Sequence, residues 1–261
     1  MTVTSHQSPA SVHRSPVTSP GFAVDYHCHL LPGIDDGAAS LEESLKMARV
    51  LSGVGFTTVC CTPHLLKGAY DTSAHEIRER TAQLQLQLAA ESIHLQLTPG
   101  AEYYLDEYLV ELLRDPLPLG EAKLLLIEIP NHAPEEFVKE TCYRIKCSGY
   151  TPLIAHPERC ALLALPDLKA QTKGWKGFFS RATSHQSPVT SNQSPLLPYL
   201  RDIGCHFQGN LGSFAGVYGN RVRQQALAFL KSGLYDCFGS DAHRSENLED
   251  MLKRGKQAHL S

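Results

Sequence analysis

Residues 123–156 read KLLLIEIPNHAPEEFVKETCYRIKCSGYTPLIAH. The opening run, 123–129, is almost wholly apolar and predicts a strand. Residues 134–148 carry helical spacing, and 151–156 (TPLIAH) predicts a second strand. Strand, helix and strand in succession imply two parallel strands joined by a crossover helix. Each strand finishes on a group that can do chemistry: Glu128 in the first, His156 in the second. A carboxylate inside LLLIEIP is costly to bury unless it is paired or holds a metal.

The same unit repeats in both directions along the chain. Further strand patterns fall at 23–29 (AVDYHCH), 57–62 (TTVCCT), 94–101 (HLQLTPGA), 205–209 (CHFQG) and 235–240 (YDCFGS). Helical patterns follow most of them, at 72–92, 104–114, 218–232 and 246–258. Ser40 with Glu43 predicts a capping box, with Leu41, Leu45, Ala48 and Ser52 along one face of the helix it opens. Seven strand–helix units predict an α/β fold of the (βα)7, TIM-like barrel kind.

Polar residues gather at the strand ends. His27 and His29 close the first strand, two apart and therefore on one face. An H-x-H pair is weak support alone. However, His64 closes the second strand, Glu102 the third, Glu128 the fourth and His156 the fifth. Asp241 and His243 close the seventh, and Asp36 lies in the first loop, LPGIDDGA, where Gly33 and Gly37 permit a tight path. In a parallel barrel all strand C-termini open on one face, so these groups converge. Five histidines and four carboxylates without a thiolate suit Mn, Fe or Zn. Nine donors exceed the needs of one or two ions, so three ions are expected. Three divalent ions with four carboxylates leave a charge of about +2, which favours a phosphate dianion as substrate.

Two segments lack the composition of a core. TSHQSP occurs at 4–9 and again at 183–188, each time within Ser-, Pro- and Thr-rich sequence. Residues 1–21 are expected to be a disordered tail, and about 181–196 a low-complexity insert in a single domain spanning 22–261. His6, His13 and His185 belong to these segments and are excluded as ligands. The chain has 261 residues, 42% of them hydrophobic, enough for a large core. A net charge of −3 argues against wholesale nucleic-acid binding. No apolar run approaches the roughly 18 to 20 residues of a membrane span, and no signal-peptide pattern opens the chain. The expectation is a cytoplasmic protein whose eight cysteines are reduced, buried small hydrophobes.

In this order HCHLLPGIDDGA, CTPH, GAEYY, AHPER and GSDAH resemble the polymerase and histidinol phosphatase (PHP) superfamily. The wording is most similar to its bacterial manganese-dependent protein-tyrosine phosphatases, the CpsB/YwqE-type enzymes of capsule and exopolysaccharide regulation. The resemblance covers roughly residues 23–245 apart from the insert. It implies a distorted seven-stranded barrel with a trinuclear Mn²⁺ centre. By that resemblance the first ion takes His27, His29, Glu102 and Asp241. The second takes His64, His156 and the bridging Glu102, and the third takes Asp36, Glu128 and His243. Asp36 rather than Asp35 is implied by its spacing from His29, leaving Asp35 as a turn or supporting residue. Arg159 in HPER resembles the family's phosphate-binding arginine. Leu248 stands where a second arginine is expected, and Arg244 is the nearest substitute.

The implied activity is hydrolysis of phosphotyrosine by metal-activated hydroxide, on a substrate such as a bacterial tyrosine autokinase of polysaccharide biosynthesis. No cysteine is followed six residues later by arginine, so the loop of the cysteine-dependent phosphatases is absent. Two other readings are a histidinol-phosphate phosphatase and a catalytically impaired module that binds phosphotyrosine.

Overall fold

The computed structural model describes residues 22–165 and 196–260. The expected tail and all but the last residue of the expected insert lie outside them. All seven expected strands are present: β1 (Val24–Cys28), β2 (Thr58–Cys61), β4 (Gln96–Pro99), β6 (Leu124–Glu128), β7 (Thr151–Ala155), β8 (His206–Asn210) and β9 (Cys237–Gly239). Two short strands add to them, β3 (His64–Leu65) and β5 (Glu102–Tyr104). Every strand pairing is parallel, in the orders β1-β2-β4 and β3-β5-β6-β7-β8-β9.

The two short strands lie just beyond the second and third expected strands, 57–62 and 94–101, each after a break. Pro63 has no N–H to give to a ladder, and beyond it His64 N donates to the Asp35 carboxylate at 3.0 Å. At the other break a Cβ on Gly100 would lie 2.5 Å from Leu119 Cδ2, so a larger residue there would push the Leu119 side chain aside. β1 and the segment after β9 are joined by a parallel bridge between Cys28 and Ala242. Asp241 N donates to His27 O at 2.7 Å, and His29 N to Ala242 O at 3.0 Å. The backbone therefore fastens His27 and His29 to the segment that carries Asp241 and His243. The fold is a mixed α/β one with curled parallel sheets.

The helices are α1 (Leu41–Gly53), α2 (Ala74–Ala90), α3 (Leu109–Leu112), α4 (Glu135–Cys147), α5 (Leu196–Asp202), α6 (Leu211–Ala215), α7 (Asn220–Lys231) and α8 (Leu248–Leu260). α3 is four residues instead of the expected 104–114: Tyr104 ends β5, and 106–108 form a turn in which Tyr108 N donates to Asp106 Oδ1 at 2.9 Å. α5 and α6 were not expected from the pattern. α1 buries Ser44, Met47, Ala48 and Leu51, a face rotated from the expected one, and Leu41 is 39% exposed. Half of the capping box forms: Ser40 accepts from Glu43 N. The Glu43 carboxylate instead accepts from Ser245 N at 2.5 Å, tying α1 to the loop after Asp241 and His243.

Outward strand residues such as Leu125, Ile127 and Ile154 pack under the helices with Met47, Leu51, Ile77 and Leu88. A second apolar cluster of Cys60, Leu124, Leu126, Leu153, Ala155 and Cys237 lies on the other side of the strands. Each such large side chain contributes about 1.5–3 kcal/mol on burial, which holds the polar strand ends in register above it.

Candidate metal centre

All nine expected donors stand on or just beyond strands, or in the first loop. His27 belongs to β1 and His29 follows it; His64 opens β3 and Glu102 opens β5. Glu128 ends β6, and His156 follows β7. Asp241 and His243 follow β9. His156 and Asp241 have φ of 29° and 53°, left-handed conformations that L side chains rarely adopt. Such strain collects where the surrounding structure must aim a side chain.

Glu102 is the hub. Its Oε2 lies 3.1 Å from His27 Nε2, 3.4 Å from His29 Nε2 and 3.1 Å from His64 Nδ1. Its Oε1 lies 3.1 Å from His156 Nε2. Asp241 Oδ1 is 3.3 Å from His27 Nε2 and 3.4 Å from His29 Nε2. His27, His29, Glu102 and Asp241 thus form one group of donor atoms within 4.8 Å of one another, the group expected for a first ion.

The other two groups differ from the expectation. Asp36 lies with His64 and His243, at 3.5 and 3.4 Å, in a group that also takes in His29, and not with Glu128. Glu128 lies 4.0 Å from His156, and forms a group with Glu102 and His64. The first loop and the loop after β9 bring Asp36 and His243 to the β3 side, whereas β6 and β7 are adjacent and keep Glu128 beside His156. Spacing along the chain could not show which loops meet.

Charge balance follows from this crowding. Burial alone would raise the Glu102 and Asp241 carboxyls, but neighbouring imidazoles, His27 foremost, hold both well below the ordinary range. Burial would lower His27 and His29; the carboxylates outweigh it, pushing His27 up to about 9 and His29 well above its usual value. His64 and His243 are lowered, by burial and by His29. Glu128 is raised by burial and by Glu102. Imidazole nitrogens and carboxylate oxygens packed at these distances fit borderline divalent cations such as Mn²⁺, Fe²⁺ or Zn²⁺. Calcium and magnesium prefer all-oxygen sets.

Asp35 is the supporting residue that its position allowed. Its Oδ2 receives His29 Nδ1 at 2.7 Å and His64 N at 3.0 Å, and its Oδ1 receives Gly37 N at 2.9 Å. Gly37 is required for this: a Cβ there would stand 2.4 Å from His29 O. Arg159 Nη1 meets Asp241 Oδ2 at 2.5 Å, and its guanidinium lies 4.5 Å over the Tyr218 ring. Arg244 is turned elsewhere. Its Nη1 donates to the carbonyls of Asp36, Gly37 and His243, so that nitrogen is not offered to a substrate. Leu248 is buried in the core.

Sequence reasoning missed several residues around the centre. Gln208 and Asn210 of β8 are fully buried. Gln208 Oε1 faces His27 Nδ1 at 3.1 Å and His156 N at 3.2 Å, and Asn210 Nδ2 donates to Asp241 Oδ2 at 2.8 Å. Asp25 Oδ1 accepts from His27 N at 3.1 Å and Ser240 N at 2.8 Å; burial pushes its carboxyl up to about 6. Buried Glu158 receives Asn210 N at 3.0 Å and the Tyr235 hydroxyl at 3.0 Å, fixing the turn that carries His156 and Arg159. The available signal was parity. Gln208 and Asn210 are two apart on a strand, as are Asp25, His27 and His29.

Comparison with known proteins agrees with this geometry. Residues 23–171 match the family model of capsular polysaccharide synthesis, CpsB/CapC. The tyrosine-protein phosphatase YwqE of Bacillus subtilis is 32% identical over 223 residues, covering 84% of this chain and 77% of the relative. The tyrosine-protein phosphatase CpsB of Streptococcus pneumoniae is 26% identical over 231 residues, covering 86% and 84%. A chain from the crystal structures of YwqE and CpsB, described as unique metal-dependent tyrosine phosphatases, superposes with a TM-score of 0.72. It is 29% identical, with 90% of this chain and 85% of that one covered. The zinc-bound histidinol phosphate phosphatase of Lactococcus lactis has a TM-score of 0.54 at 13% identity, a likeness of fold alone. The chain belongs to the CpsB/CapC family.

Proposed function

We propose that this chain is a metal-dependent protein-tyrosine phosphatase. The observation that carries the reading is the hub at Glu102, one buried carboxylate facing four imidazoles, in a chain of this family. We assign His27, His29, Glu102 and Asp241 to one ion; Glu102 and Glu128 to a second with His156, whose Nε2 lies 3.1 and 4.0 Å from them; and Asp36 and His243 to a third with His64, which also neighbours Glu102 and Glu128. Mn²⁺ is the proposed metal. Bound divalent ions supply Lewis acidity and bring the pKa of water towards neutrality.

The remaining chemistry belongs to the chain. Arg159 receives the phosphate, its planar fork matching two phosphate oxygens, and the Tyr218 ring beneath it limits its swing. Gly37 and Asp35 hold His29 and His64 in place. A tyrosine leaving group has a conjugate acid of pKa about 10, so it departs with less help than an alkoxide. The thiols nearest the centre are not suited to act as nucleophiles. Cys28 is fully buried, and burial pushes its thiol well above the ordinary value; Cys60 is pushed up to about 12.

We also read β2 with β3, and β4 with β5, as two interrupted strands of a seven-unit barrel closed through the Cys28–Ala242 bridge. No helix among the described residues is long and apolar enough to cross a membrane. A cytoplasmic location and a bacterial tyrosine autokinase as substrate fit this reading. The test is turnover of a phosphotyrosine peptide with Mn²⁺, beside histidinol phosphate and beside a chelated sample. Phosphotyrosine hydrolysis abolished by chelation is expected. Preference for histidinol phosphate, or binding of the peptide without release of phosphate, would overturn the assignment.

A further inference from the structure

β8 supplies none of the nine donors, yet Gln208 lies at its centre with no exposed surface. Its orientation is fixed by a group that has no choice. The backbone N–H of His156 can only donate, and it points at one end of the Gln208 amide at 3.2 Å. That end must be the oxygen. The other end, then the NH₂, donates to Gly209 O at 2.7 Å, an acceptor only. The amide therefore cannot be flipped without breaking both bonds.

The same oxygen lies 3.1 Å from His27 Nδ1. An oxygen acceptor there requires the proton on Nδ1, so the neutral ring that a metal binds carries its lone pair on Nε2. Nε2 is the atom that faces Glu102 and Asp241. We propose that Gln208 is a positioning residue that sets the tautomer and ring angle of His27 for metal binding. With the same oxygen it ties the His27 group to His156, which carries the neighbouring group. This rests on the metal-centre reading given above. His29 receives the same service from a carboxylate, Asp35. In their neutral form the pair would turn two Nε2 lone pairs to one point, one ring backed by a neutral amide and one by a charge. Gly239 shares the arrangement: a Cβ there would meet His27 Cβ at 2.5 Å and Gln208 Nε2 at 3.0 Å.

The test uses the full chain with Gln208→Met, which keeps length without hydrogen bonds, and Gln208→Glu, which keeps the acceptor oxygen. Mn²⁺ affinity is measured by calorimetry. The His27 proton is located by ¹⁵N-edited NMR of histidine-labelled, Zn²⁺-loaded protein. The expected results are a His27 Nδ1–H resonance in the wild type and in Gln208→Glu. Gln208→Met should shift that resonance upfield as its hydrogen bond is lost, and bind Mn²⁺ about 10- to 100-fold more weakly, as when other partners of metal-bound histidines are removed. Wild-type affinity in Gln208→Met, or a wild-type His27 protonated on Nε2, would overturn the assignment. If Gln208→Met fails to fold, the Nδ1–H resonance and the behaviour of Gln208→Glu decide the matter. A wild-type chain that takes up no Mn²⁺ or Zn²⁺ would sink the metal-centre reading, and this inference with it.

Discussion

The Nε2 atoms of His27 and His29 face each other across 3.1 Å, with Glu102 and Asp241 on either side. Two imidazole nitrogens at that distance repel unless a proton or a cation lies between them. In the metal-free chain the carboxylates outweigh burial and push His27 up to about 9, which favours a proton there at neutral pH. A cation must displace it.

The first prediction concerns pH. An unfolded histidine titrates near pKa 6.5, so the raised His27 stabilises the metal-free fold fully below about pH 6.5. That contribution is lost as pH rises through about 9. The melting temperature of chelated protein should fall over this window, while Mn²⁺-loaded protein should not follow it. At pH 7, metal uptake should release protons, read by calorimetry in buffers of different ionisation enthalpy. Uptake with no proton release would contradict the raised value.

Glu102→Ala removes the shared carboxylate. Its four imidazole partners then face one another in a buried site. Breaking a buried charge pair from one side costs about 3–5 kcal/mol, so the metal-free variant should unfold at lower denaturant. Retained metal should drop by more than one ion per chain, measured by elemental analysis after dialysis. Loss of a single ion would show that Glu102 does not bridge.

Arg159 is 31% exposed on its side chain and reaches Asp241 through one nitrogen. Arg159→Ala should lower kcat/KM for a phosphotyrosine peptide by about 1.5–3 kcal/mol, the worth of a charged hydrogen bond. Metal content should stay intact. Arg159→Lys should recover only part, because a point charge lacks the planar fork. A variant depleted of metal would instead make Arg159 a support for Asp241.

Gly239 allows His27 to approach its strand neighbour. Gly239→Ala would place a methyl 2.5 Å from His27 Cβ and 2.8 Å from its backbone N. Overpacking of this kind costs about 1–3 kcal/mol. A lowered melting temperature together with weaker Mn²⁺ binding is expected, whereas Gly53→Ala, where nothing lies within 4 Å, should leave binding unchanged.

Of the eight cysteines, Cys147 alone is exposed. Native iodoacetamide treatment should therefore add one group per chain, on α4, and leave Mn²⁺-dependent hydrolysis intact. Complete inactivation with the metal still bound would point to a thiol in the reaction.

Much of this was legible in the sequence. Strand–helix alternation needs only local hydrophobic spacing, so all seven strand patterns could be placed. The same spacing put His27, His29, His64, Glu102, Glu128, His156, Asp241 and His243 at strand ends. Breaks at Pro63 and Gly100 were less legible, because they depend on what the next strand and Leu119 occupy. α1 shows the same limit: Ser40 capped it as expected, but Glu43 found its partner at Ser245, 202 residues away.

The sequence by itself determined which residues could bind metal and that they would share one end of a parallel sheet, since side-chain type and strand parity are local properties. Only the tertiary structure decided the grouping. Asp36 meets His64 and His243, Glu128 meets His156 and Glu102, and Arg244 is drawn to backbone carbonyls. These partnerships depend on how loops cross and on which strands lie side by side. The same is true of Gln208: its polarity was visible in CHFQG, but its purpose lies in two donors supplied by β1 and the end of β7, which only folding brings to one oxygen.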